Sequence, residues 1–335
     1  MSTDNASTKP LTRRYEPDYV HPVPVMKHGG EGNDFDANGA REPFLFAQDG
    51  KFYLHYDGNG PGSWCCCLAV SDDLFNWDKK GKKLDIGDEG EKDHGGACYG
   101  PTFFFEGKWH LYYVSVERTS GPPYFVPALP YRTGLAIADD PEGPWTKVST
   151  DLFPLQEPGN WIDGCICAPY IVERDGTYYA FYSGSNMHAP YLRTVGLATS
   201  RSPQGPWTHF PEPLLPLEEQ LENPSLYYEP ALDLWFMFIN HVGKDENGGE
   251  YTDAIWVYWS KSLTEWNAAD KAVALDAANI PWVKAIVGLP ACLVVEDKLW
   301  IAFDANEGGF DENLFGHAHR DIGLARFDLP LRAPE

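Results

Sequence analysis

Arg41 to Gly58 reads REPFLFAQDGKFYLHYDG: an acid directly before a proline, an apolar run, an Asp-Gly turn, then an alternating stretch rich in aromatics. The apolar run and the alternation are the patterns of two strands, and Asp-Gly between them is a hairpin turn signal. Four further segments repeat the arrangement: YGPTFFFEGKWHLYYVSV from Tyr99, CAPYIVERDGTYYAFYSG from Cys167, ENPSLYYEPALDLWFMFI from Glu222 and GLPACLVVEDKLWIAFDA from Gly288. Their opening prolines, Pro43, Pro101, Pro169, Pro224 and Pro290, recur about every 60 residues. After three of the hairpins comes a second strand pair ending in tryptophan, as CLAVSDDLFNW, GLAIADDPEGPW and GLATSRSPQGPW. The fourth repeat carries IWVYWSKSLTEW, and the fifth closes on IGLARFDLP without a tryptophan.

Each unit therefore reads as a four-stranded antiparallel sheet. Five such sheets can bury both their faces only against one another, and radial packing does this while leaving short edges. The expected fold is all-β: a single five-bladed β-propeller of four-stranded antiparallel blades over residues 21–335, preceded by a loose N-terminal arm over 1–20. Only the LEEQLEN region and the neighbourhood of Ala268 to Ala278 have helical composition. Gly29 to Asn38, Gly121 to Pro130 and Gly243 to Glu250 read as loops entering or topping the blades.

The formal net charge of −23 argues against nucleic acid as a partner, because such binding rests on clustered Lys and Arg neutralising phosphates. No apolar segment approaches the roughly 20 residues that span a bilayer, and the first residues, MSTDNASTKPLTRRYEPDY, lack the apolar core of a secretory signal. A cytoplasmic protein without a membrane partner is expected. Seven cysteines, three of them consecutive at Cys65 to Cys67 and two alternating at Cys165 and Cys167, read as reduced, mostly buried thiols. No second Cys or His pair stands at zinc-finger spacing, so neither a metal nor another cofactor is expected.

In a propeller the start of each innermost strand converges on one mouth of the central channel. Proline at a strand start holds the residue before it extended, which aims that side chain toward the axis. Glu42, with Arg41 beside it, stands there in the first repeat; Glu222 lies two before the proline of the fourth, and Asp163 six before that of the third. Carboxylates that converge in a funnel repel one another, which raises at least one pKa and yields a protonated acid beside an ionised base. Glycosidic cleavage uses that pair. The competing reading is a channel plugged by salt bridges, with Arg41, Lys284 and Arg320 as countercharges. His94, His241 and His319 sit in loops near the repeats, and Tyr99 and Trp161 lie near inner-strand starts where a ring can stack on a sugar. No P-loop, dinucleotide fingerprint, HExxH or GxSxG element occurs.

The recurring acid-proline, apolar strand, D-G-x-Y-Y and GLA-to-GPW segments resemble the five-bladed glycoside hydrolases of families 43 and 117 and the related mannoside phosphorylases, from about Asp34 to Pro330. The resemblance implies a glycosidase acting on a short oligosaccharide, exo-acting and inverting, with Glu42 as base and Glu222 as general acid. It also implies an orienting Asp before the third proline, where this chain has Ala168; Asp163 is the nearest substitute. Asp36, in NDFDANG, remains open as the base, with Glu42 then modulating. Arg41, His94, Tyr99, Trp161, His241, Lys284, His319 and Arg320 are the expected substrate-binding residues. A phosphorylase and a non-catalytic sugar-binding propeller remain the alternatives. Oligomeric state leaves no mark in the sequence.

Overall fold

The computed structural model describes residues 13–244, 250–308 and 316–334. Apart from two 3-10 turns, Asp34–Asp36 and Leu217–Glu219, the regular structure of these residues is all strand. The first repeat folds as Gly39–Gln48, Lys51–Gly60, Ser63–Ser71 and Asp78–Lys82, each antiparallel to the next. The second runs Thr102–Phe105, Lys108–Leu111, Leu135–Ala138 and Thr146–Ser149. The third runs Cys165–Arg174, Thr177–Ser185, Arg193–Ser200 and Thr208–His209. The fourth runs Leu221–Glu229, Leu234–Lys244, Glu250–Ser260 and Lys271–Asp276.

The fifth meander supplies only three strands from its own repeat, Ala291–Val295, Lys298–Ala305 and Asp321–Asp328. Its outer strand is Tyr19–Val20, which pairs antiparallel with Asp321–Asp328 from the other end of the chain. This accounts for the missing tryptophan strand in IGLARFDLP. It also corrects the reading of residues 14–20 as part of a loose arm. Arg14 makes a two-pronged ion pair with Asp276 at 2.7 and 2.8 Å, the Tyr15 ring is buried, and Asp18 meets Arg326 at 2.6 Å. Residues 1–12 of that arm and 245–249 of the loop expected from Gly243 to Glu250 lie outside the described residues.

Both helical expectations give way to tertiary context. Lys271–Asp276 is an edge strand because pairing with Glu250–Ser260 buries Ala272, Val273, Ala274 and Leu275 together, an outcome that local propensity does not anticipate. The LEEQLEN region contributes one 3-10 turn and then enters Leu221–Glu229. The insert read as a loop over Gly121 to Pro130 is partly strand. Pro127–Thr133 pairs with Val114–Thr119, and through Gly96–Ala97 and Cys165 these strands join the first and third meanders into one eleven-stranded sheet.

Each meander shares a core with the next, and the fifth shares one with the first. Phe236 and Phe238 of the fourth pack on Leu299 and Phe303 of the fifth, whereas Leu45 and Leu54 of the first pack on Ala302 and Leu324 of the fifth. Burying one such large apolar side chain contributes about 1.5–3 kcal/mol. The recurring Gly-Leu-Ala has a steric cause. A Cβ on Gly134, Gly196 or Gly323 would stand 2.1 to 2.4 Å from the ring of Tyr113, Tyr182 or Phe303 respectively, so only glycine leaves room for those rings. Among the described residues no helix is long and apolar enough to cross a membrane. The cysteines are free thiols, all buried except the half-buried Cys292.

Candidate active site

At three of the five openings the proline does not hold its neighbour extended. Glu42, Ala168 and Asn223, each directly before a proline, lie in the left-handed region with φ of 54°, 49° and 61°. At each of them the strand register slips: Arg41 pairs with Asp57 but Phe44 with His55, Cys167 with Ser183 but Tyr170 with Phe181, Glu222 with Asn240 but Ser225 with Phe238. Three residues on one strand span two on the other, which is a β-bulge, a device that re-aims side chains and is common beside active sites. The bulge turns Glu42 and Asn223 toward one cavity.

That cavity, of about 550 Å³, is lined by Arg41, Glu42, Arg193, Glu222, Asn240, Glu250, His317 and Arg320 among others. Its floor is charged and buried. Arg41 lies 3.9 Å over the Trp64 ring and offers Nε and Nη2 to Asp57 Oδ2 at 3.4 and 3.3 Å, while the Tyr99 backbone N–H donates to the other Asp57 oxygen. Arg320 donates to Asp304 at 2.7 Å and to the Gly316 carbonyl at 2.6 Å.

Burial pushes the Glu42 carboxyl up to about 8. The Arg41 guanidinium, 3.7 Å away, opposes this without offsetting it, and Asp57, Asp304 and Glu222 add to the rise. Asp57 is raised by burial too, against the pull of Arg41. His317 beside Arg41 is held neutral by burial and by the charges of Arg41, Arg320 and Arg193. Glu222 is held differently, with Oε2 3.2 Å from Arg193 Nη1 and Oε1 accepting from Asn240 Nδ2 at 3.3 Å. Arg193 Nη2 continues to Glu250, and these two carboxylates keep the guanidinium charged although burial works against it.

Of the expected site residues, Glu42, Glu222, Arg41 and Arg320 line the cavity. Tyr99 is buried just behind it, its hydroxyl 3.4 Å from Asn223 Oδ1. Asp36 is not there: it is fully buried and tied to Lys79 at 2.6 Å, Tyr56 at 3.0 Å and the Gly29 N–H at 2.9 Å, with its pKa raised by burial. Nothing of it faces the cavity, and its contacts hold the turn that carries it. Asp163 lies behind the wall, accepting the N–H groups of Gly159 and Met187 at 2.7 Å each; it staples the loop that carries Met187 and Tyr191 to the cavity. Trp161 stacks on Tyr182 and donates to the Pro211 carbonyl. His241 pairs with Asp253 at 2.6 Å and stacks on Trp256 beside the wall. His94, Lys284 and His319 are exposed and away from the cavity.

Sequence reasoning missed Arg193, Asn240, Asp57 and Glu250. A signal for two of them was present. Asp57, Ser183 and Asp304 each follow their proline by 14 residues and Asn240 follows its own by 16 across a longer turn. All four take the same place on the second strand of their hairpins, with Asp57 facing Arg41, Ser183 facing Cys167, Asp304 facing Gly288 and Asn240 facing Glu222. Arg193 had no such signal, since the matching Arg132 of the second repeat pairs with Asp151 outside the cavity. Among the described residues no group of His, Cys, Asp and Glu could hold a metal ion.

No family model matches the chain. A 97-residue stretch, 28% of this chain and 29% of the relative, is 37% identical to a probable arabinan endo-1,5-alpha-L-arabinosidase C of Aspergillus clavatus. The match thus spans less than a third of that curated relative. Among solved structures, Zg3597, a family 117 glycoside hydrolase produced by the marine bacterium Zobellia galactanivorans, is similar with a TM-score of 0.65 at 16% identity, over 94% of this chain and 91% of that one. The catalytic domain of a family 62 alpha-L-arabinofuranosidase of Coprinopsis cinerea is similar with a TM-score of 0.64 at 12% identity, over 91% and 95%. The likeness is one of fold: this all-β chain has the fold of glycoside hydrolases.

Proposed function

We propose that the protein is a glycoside hydrolase in which Glu42 and Glu222 form the acid/base pair. The observation that carries this reading is that two carboxylates from different meanders face one cavity, where the charge of Glu222 adds to the rise at Glu42. The five meanders are taken as five blades around that cavity, a reading supported by the cores that link each to its neighbours and the fifth to the first.

The environments favour roles opposite to those the resemblance implies. Glu42, pushed up to about 8, keeps its proton at neutral pH, whereas Glu222 is ion-paired with Arg193. In this assignment Glu42 gives its proton to the glycosidic oxygen as the bond to the anomeric carbon breaks. Glu222 takes a proton from the water whose oxygen bonds that carbon. Attack from the face opposite the leaving group makes the reaction inverting, which calls for carboxyl groups roughly 6.5 to 9.5 Å apart. Arg41, Arg193 and Arg320 each already face a carboxylate, which favours water over phosphate as the attacking group. The curated relative, named as an arabinosidase, makes arabinosides the first substrates to try, and exo action would release one glycone from its leaving group.

The test is hydrolysis of arabino-oligosaccharides and aryl glycosides by the wild type, Glu42→Gln, Glu42→Ala and Glu222→Ala. Losing either group should cost about 10²- to 10⁴-fold in turnover. Azide should rescue only the variant that lacks the base, giving an inverted glycosyl azide, and an activated leaving group should spare only the variant that lacks the acid. Unchanged activity in both alanine variants would sink the reading.

A further inference from the structure

The cavity is two-faced. Its floor carries Arg41, Arg320 and Glu42, the two arginines only 4% exposed, whereas one side of its mouth is mainly aliphatic, with the exposed Arg118 donating to the Leu129 carbonyl at 2.6 Å there. That side comes from the insert of the second meander, where Val126, Pro127 and Leu129 stand half-buried above Val116, with Met187 on the neighbouring loop. The backbone there is committed to the ladder between Val114–Thr119 and Pro127–Thr133, so much of its hydrogen-bonding capacity is already used. A sugar ring laid on this wall would exchange hydrogen bonds to water for contacts with methyl groups. An alkyl or aryl group would instead release water from both surfaces.

Resting on the hydrolase reading, we propose that the leaving group is an apolar aglycone, alkyl or aryl, seated against Val116, Val126 and Leu129 while the glycone occupies the charged floor. The gradation of burial sets this orientation, since Arg41 and Arg320 are almost fully buried, whereas Val126, Pro127 and Leu129 are half-buried on the open side, where a leaving group departs. Among the described residues no tryptophan lines the cavity; its phenol rings are those of Tyr131, Tyr191 and Tyr251, whereas Val116, Val126, Pro127 and Leu129 make a continuous aliphatic strip beside them.

Two measurements test it on the full chain. In the first, 2-naphthol is titrated into wild type, Leu129→Asn and Val116→Thr and followed by its fluorescence, with circular dichroism confirming that each variant is folded. Saturable one-to-one binding that weakens about tenfold in Leu129→Asn is expected; no saturation, or binding in both variants equal to that of the wild type, overturns the proposal. In the second, kcat/KM is followed along ethyl, butyl and hexyl glycosides, whose leaving groups have similar basicity. It should rise with chain length in the wild type and flatten in Leu129→Asn. Cleavage of oligosaccharides in preference to every alkyl glycoside also overturns it. Naphthol binding that Leu129→Asn weakens, with no glycoside cleaved, would instead leave the apolar site standing and remove the hydrolase reading.

Discussion

Arg193 Nη1 stands 3.2 Å from Glu222 Oε2, and its Nη2 donates to Glu250, so one guanidinium from the third meander fixes a carboxylate of the fourth. Removing it would free Glu222 to rotate away from its position over the cavity. Arg193→Met should lower kcat by about 10²-fold, the scale set by small misplacements of a reacting group. Arg193→Lys keeps the charge but not the fork and should recover only part of the loss. Steady-state kinetics check the claim: kcat of the folded variant should fall with KM little changed, whereas a merely structural residue would lower the folded fraction and leave kcat per folded molecule as it was.

The Glu42 carboxyl, raised to about 8 in the folded protein, binds a proton between pH 4.5 and 8 that the unfolded chain has released. A proton held only by the folded state means that stability falls as pH rises through this window. Relative to Glu42→Gln, the wild type should lose stability from pH 4.5 to 8 and no further above it. Urea melts of the two proteins at half-unit pH steps measure this. If Glu42 is the acid, kcat/KM should also fall above about pH 8.

Asp36 is open as a base from the sequence, and its burial beneath Lys79 and Tyr56 predicts a structural role. Asp36→Ala strands a lysine whose side chain is only 8% exposed. The expected cost is roughly 3–5 kcal/mol of stability, the usual consequence of breaking a buried pair, with kcat of the remaining folded enzyme unchanged. Chemical denaturation and active-site-normalised turnover separate the two effects. A fall of kcat by about three orders of magnitude in a fully folded variant would restore Asp36 to the mechanism.

Deleting residues 1–20 removes Tyr19–Val20 from the fifth meander, together with Arg14 and the buried Tyr15 ring. Loss of Tyr15 burial alone costs about 2 kcal/mol. For a chain of this length each kcal/mol lowers Tm by about 2 °C, so a fall of at least roughly 4 °C is expected. Calorimetry of the truncated and full chains decides this, and an unchanged Tm would mean that the terminal strand does not hold the two ends together.

Repetition made the strands and their grouping legible from the sequence, because alternation, turn chemistry and a recurring proline are local properties that survive without neighbours. Glu42 and Glu222 were legible for the same reason: each stands at a repeat opening that the others define. Their surroundings were not. The bulges at Glu42 and Asn223 overturn the extended geometry that proline by itself favours, and only pairing with a second strand stabilises φ near 54° and 61° there. The outer strand of the fifth meander comes from residues some 300 positions away, a distance at which periodicity carries no information. Asp36 and Glu42 are both acids in the first repeat, and composition cannot separate them. What does so is where the packed chain puts a positive charge: Lys79 closes over Asp36 and removes it from the cavity, whereas Arg41, already engaged with Asp57, leaves Glu42 facing the open space.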